Sequence, residues 1–167
     1  IAEIARACRV EAKHVALCVA PTASIAGNLQ IAARSVETAM HKLFELAFDL
    51  SRIESACGWV PLPPVAGDDL TGIGRTNDAI LYAGRITLLV TGDDASVEAL
   101  GPLVPSCGSA AFGRSLIELF EAAGRDFYKI DPHLFSPAEV VFHNLETGRV
   151  LRYGEVRTDI VRKSFGF

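Results

Sequence analysis

Apolar residues recur at helical spacing over Ile1 to Arg9 and then crowd into VALCVA, which reads as a buried strand over Lys13 to Ala20 ended by Pro21. The small-residue segment from Pro21 to Asn28 leads into the longest helical pattern, about Asn28 to Phe48. On that helix Leu29, Ala32, Ala33, Val36, Met40, Leu43, Phe44 and Ala47 form the expected apolar face, while Gln30, Arg34, Glu37, His41 and Glu45 form a polar stripe. From Ser51 to Gly67 the pattern dissolves into GWVPLPPVAG, read as an irregular, apolar connection.

Downstream, Asp68 and Asp69 are expected to cap a short helix through Gly74, and Arg75-Thr76-Asn77-Asp78 reads as a turn. Strands follow at Ala79 to Ala83 and Arg85 to Thr91, hinged at Gly84. Asp93 or Asp94 caps a helix to about Leu100, and a further helix spans about Ser115 to Phe127. Ala138 to Asn144 and Arg149 to Tyr153 read as a hairpin around Glu146-Thr147-Gly148, and Thr158 to Ser164 as a closing helix. Paired strands mixed with helices imply an α+β fold, a mixed or antiparallel sheet layered with helices, instead of a regular βαβ array.

Composition narrows the function. Half of the 167 residues are hydrophobic and 22% are charged, enough apolar material for a core. The net charge of -4 argues against nucleic acid as a partner, and no apolar run approaches a membrane span. No signal peptide is visible, so the expected location is the cytoplasm. Cys8, Cys18, Cys57 and Cys107 form no CxxC pair and sit among small or apolar neighbours, which predicts reduced, buried or half-buried thiols. His14, His41, His133 and His143 are scattered, so no metal site is expected. Gly72-Ile73-Gly74 does not make a dinucleotide fingerprint, and neither a phosphate loop nor GxSxG occurs. Because Ile1 is not an initiator Met, the chain is expected to be a fragment.

Three places can carry chemistry. Arg34 and Glu37, three apart, project from one helix face with Gln30 and His41 a turn to either side. A carboxylate beside a guanidinium suits a base that aligns water, and an ordinary surface ion pair has the same spacing. Arg75 to Asp78 concentrate hydrogen-bonding groups suited to a ligand or to turn chemistry alone. The loop holding Thr22 and Ser24 offers backbone N–H donors to a polar ligand, or simply caps the helix.

These blocks, VAPTASIAGNLQIAARSVETAMHKL, PLPPVAGDDLTGIGRTNDAILYAGRI and FSPAEVVFHNLETGRVLRYGEV with the ending KSFG, closely resemble the methenyltetrahydromethanopterin cyclohydrolases. The resemblance runs through nearly the whole chain and covers only the C-terminal portion of that enzyme. It implies that residues 1–167 are the C-terminal part of a larger two-domain subunit. It also implies reversible hydrolysis of the methenyl bridge of methenyltetrahydromethanopterin to the N5-formyl compound in C1 metabolism, whether methanogenesis or formaldehyde oxidation. No metal or prosthetic cofactor is implied, since the pterin carrier is the substrate. Glu37 and Arg34 match the catalytic RxxE pair, and Arg75, Thr76, Asn77 and Asp78, with Thr22 and Ser24, are implied to shape the pterin pocket. A homo-oligomer, and an N-terminal segment completing the pocket, are the implied partners. The alternative is a noncatalytic pterin-binding or assembly half.

Overall fold

The computed structural model describes residues 1–167. Its elements run α1 (Ala2–Cys8), α2 (Ile25–Ala33), α3 (Ser35–Glu45), β1 (Ile53–Trp59), α4 (Asp69–Ala83), β2 (Arg85–Val90), α5 (Asp94–Leu100), α6 (Leu116–Ala122), β3 (Glu139–Asn144), β4 (Val150–Gly154) and α7 (Thr158–Phe165). The strands form one mixed sheet in the order β1-β2-β3-β4. The β1–β2 and β3–β4 pairs are antiparallel, and β2–β3 is parallel, with Ile86 opposite Val140 and Leu88 opposite Phe142. The expected α+β class with a mixed sheet is therefore what the chain adopts.

Two clusters hold it together. Ala39 and Leu43 of α3 pack on Ile86, Leu88, Val90, Val140 and Phe142 of the sheet, with Val97 and Val104 completing that layer. Ala79, Leu81 and Tyr82 of α4 pack with Leu116 and Leu119 of α6 and with Ile160, Val161 and Phe165 of α7. Each large side chain of this kind contributes about 1.5–3 kcal/mol by leaving water.

The structure corrects several sequence readings. Residues 13–20 form no strand: a 3-10 turn spans Ala12–His14, and the rest pairs with no ladder, leaving Val19 92% exposed. Apolarity marks what a segment can bury but does not supply a neighbour. The long helix breaks at Arg34, whose φ of -85° and ψ of 6° end α2 and start α3. That break shifts the phase, so Leu29 and Phe44 are exposed while Ser35 and Lys42 are buried. Arg75 to Asp78 are not a turn and Ala79 to Ala83 not a strand, because α4 continues unbroken from its Asp68 cap to Ala83 and Gly84 joins it to β2. The supposedly irregular stretch after Ser51 contains β1, an edge strand. The sixth helix stops at Ala122, with Gly124 and Arg125 both at positive φ. All four cysteines are free and exposed, against the expected burial.

Candidate functional site

Arg34 occupies the joint between α2 and α3, and Glu37 lies in the first turn of α3. Arg34 Nε donates to Glu37 Oε2 at 2.6 Å and Nη2 to Oε1 at 3.1 Å, a two-pronged fork that fixes the carboxylate plane. The guanidinium donors hold the Glu37 carboxyl below its ordinary pKa, and the carboxylate raises that of Arg34. Both side chains remain open to water, 57% and 60% exposed. The fork therefore contributes little to stability. His41 stands one turn on, 3.8 Å from Glu45. Gln30, one turn before, lines an open pocket of about 550 Å³ together with Cys18, Val19, Ala20 and Ala26. Arg34 and Glu37 are not among the residues that line it.

The loop before α2 is held rigidly. Ser24 caps the helix by accepting from the Gly27 N–H at 3.0 Å, and its hydroxyl donates to the Pro21 carbonyl at 2.6 Å. The Ala23 N–H donates to Asp69 Oδ1 at 2.8 Å, which ties the loop to the start of α4, where Thr22 lies against Gly72. A Cβ on Gly27 would fall 2.2 Å from the Pro21 carbonyl oxygen, so only glycine lets the loop close. Asn28, buried, donates to the Pro63 carbonyl at 2.9 Å, while its Oδ1 finds no donor.

The remaining candidates sit on α4. Arg75 donates from Nε to the Ser164 carbonyl at 3.2 Å and from Nη1 to the Pro64 carbonyl at 3.3 Å. Asn77 donates to the Ile73 carbonyl at 2.8 Å. The Thr76 hydroxyl donates to the Gly72 carbonyl at 2.8 Å. Asp78 accepts from the Leu116 N–H at 2.8 Å and the Ser164 hydroxyl at 2.6 Å, and burial lifts its pKa to about 6. Thr76 and Asp78 are wholly buried and present nothing to a ligand: Asp78 ties α4 to α6 and α7, while the Thr76 hydroxyl bonds only within α4. Thr22 and Ala23 meet the first turns of α4, Ser24 bonds only within its own loop, and no hydrogen bond or ion pair links the fork to residues 75–78.

Sequence reading passed over Asn28 and Lys42. For Lys42 a signal existed: Ser35, Ala39 and Lys42 are spaced i, i+4, i+7 and share the buried side of α3.

A family model described as Cyclohydrolase (MCH) matches residues 1–165. A methenyltetrahydromethanopterin cyclohydrolase of Rhodopirellula baltica is 49% identical over 168 residues, 99% of this chain and 50% of the relative. Proteins of the same name from Methanocorpusculum labreanum and Methanococcus aeolicus are 46% and 42% identical, each match taking in 98% of this chain and 51% of the relative. The chain spans about half the length of the curated relatives it matches. A match that runs from the first residue almost to the last, through the fork helix and the capped loop alike, means that the chain belongs to the MCH cyclohydrolase family.

Proposed function

We propose that this chain carries the water-activating wall of an enzyme that hydrolyses the methenyl bridge of methenyltetrahydromethanopterin, reversibly, to N5-formyltetrahydromethanopterin. The observation that carries the reading is the Arg34–Glu37 fork, a carboxylate fixed by a guanidinium and open to water, in a chain of this family. The methenyl carbon lies between two nitrogens of a cation and is already electrophilic. The protein has to position a water molecule and take its proton, and no metal or prosthetic group is called for.

In this reading Glu37 takes the proton as water adds, and returns it to N10 as the tetrahedral adduct collapses to the formyl product. Arg34 keeps the carboxylate ionised and oriented and stabilises charge on the developing formyl oxygen. Held below its ordinary pKa, Glu37 is a weak base, which suffices against a cationic carbon. Thr22, Ser24 and Arg75 border the pterin site, with Thr76, Asn77 and Asp78 fixing the helix behind it.

The fork is open to water, and Leu17, Val19, Ile25 and Leu29 near the pocket are exposed. These features, with relatives twice as long, support a cleft whose second wall comes from the remainder of a relatives-length subunit. The exposed apolar surface also supports a homo-oligomer. No helix is long and apolar enough to cross a membrane, and the reading places the enzyme in the cytoplasm.

Glu37→Gln tests the reading, since it keeps shape and removes proton acceptance. Hydrolysis is expected to fall at least about 100-fold with substrate affinity largely kept. Activity near that of the unaltered protein removes Glu37 from the mechanism.

A further inference from the structure

Lys42 is one of four lysines and differs from the others in every respect that governs amine reactivity. Lys13, Lys129 and Lys163 are exposed and face Glu11 at 2.8 Å, Asp126 at 3.6 Å and Glu118 at 2.8 Å. Lys42 is 2% exposed and forms no ion pair. Its Nζ donates to the His133 carbonyl at 2.6 Å and lies 3.3 Å from His133 Nδ1. An ammonium has three donors, so these two partners leave one N–H over.

Beside it opens a pocket of about 220 Å³, lined by Lys42, Leu46, Leu103, Gly108, Asp131 and His133. The titratable groups that face the amine are Asp131, Cys107 and His133. Asp131 is engaged elsewhere, accepting from the Ser109 hydroxyl at 2.5 Å and the His133 N–H at 3.0 Å. Burial lowers the Lys42 pKa, with Asp131 and Cys107 opposing. A desolvated amine without a carboxylate partner, next to an imidazole and an open pocket, has the parts that nucleophilic lysines use.

We propose that Lys42 is a reversible covalent site for small aldehydes, with His133 as its proton shuttle. The ammonium proton passes to His133 Nδ1, and the freed lone pair forms a C–N bond to the carbonyl carbon as the C=O π pair moves to oxygen. His133 returns its proton to that oxygen. The resulting hydroxyl then leaves with a proton as water while the nitrogen lone pair closes C=N, so amine plus aldehyde give imine plus water without net oxidation. Leu46 and Leu103 give the adduct apolar contacts in the open pocket, and water reverses the reaction when aldehyde is withdrawn. The imine nitrogen carries at most one N–H, so modification releases one of the two hydrogen bonds that hold residues 131–134 to α3.

The purified protein is incubated with propanal and cyanoborohydride near pH 7.5, and alkylated lysines are mapped over time by mass spectrometry. Lys42 is expected to be trapped at least about tenfold faster than Lys13, Lys129 or Lys163, since a desolvated amine with an imidazole beside it keeps more of its neutral, nucleophilic form. Equal labelling of all four, or labelling only of the exposed three, overturns the proposal. The His133 ring is on the surface, so His133→Gln leaves the fold intact and keeps the backbone carbonyl. It should slow trapping at Lys42 about tenfold and leave Lys163 unchanged, and an unchanged Lys42 rate overturns the shuttle.

Discussion

At the scale of single residues, the same kind of group does opposite work in different surroundings. Glu37 and Asp78 are both carboxylates. Glu37, forked by a guanidinium at the surface, stays charged, whereas Asp78, buried under α6 and α7, holds its proton up to about pH 6. The folded chain binds the Asp78 proton more tightly than the unfolded chain, whose ordinary value is 3.8. Its contribution to stability is therefore full below about pH 4 and is lost as pH rises through about 6, a loss of about 2–3 kcal/mol. Asp78→Asn accepts from the Leu116 N–H through Oδ1 and donates from Nδ2 to the Ser164 hydroxyl oxygen. The difference in unfolding free energy between this variant and the parent should grow in the variant's favour by that amount from pH 4 to 7. Denaturant titrations across the range check it, and a constant difference counts against a buried titrating Asp78. Arg34→Lys loses the fork but keeps the charge. A 10- to 100-fold lower kcat, with KM little changed, is expected if orientation of Glu37 is what Arg34 supplies.

At the scale of elements, the Pro21–Gly27 loop is the most tightly specified part of the site. Gly27→Ala forces a Cβ against the Pro21 carbonyl and should cost about 1–3 kcal/mol of stability, read as a lower melting temperature. A variant as stable as the parent shows that the loop is looser than its geometry. Here sequence and structure agree where a signal is local and chemical. The Asp68 and Asp93 caps and the β3–β4 hairpin were all legible. They part where the signal is averaged over a large environment. Nine of the fifteen residues of α4 are buried, so its helical period vanishes and AILYA passes for a strand. Strand β1 has one free edge and mostly exposed side chains, which leaves no alternation to read. For the site, the RxxE spacing was legible, but the break at Arg34 was not, since no Gly or Pro marks it.

At the scale of the whole molecule, the Arg34–Glu37 fork, the pocket lined by Gln30 and the unpaired apolar segment before Pro21 all lie open at the surface, and the proposed function makes them one wall of a cleft. The relatives-length subunit is expected to run larger than a monomer by light scattering at micromolar concentration, and a monomer contradicts the oligomer reading. Water around an open fork screens its field and leaves the substrate cation loosely placed. The most direct measurement is the rate of methenyl-carrier hydrolysis, followed by absorbance, for residues 1–167 alone and with the remaining half of a relatives-length subunit, each with Glu37 and with Glu37→Gln. Weak hydrolysis by the chain alone, a rise of orders of magnitude on completion, and loss of that rise in the variant are expected. Full turnover by the chain alone, or a rise that survives Glu37→Gln, overturns Glu37 as the base of a cleft with two walls.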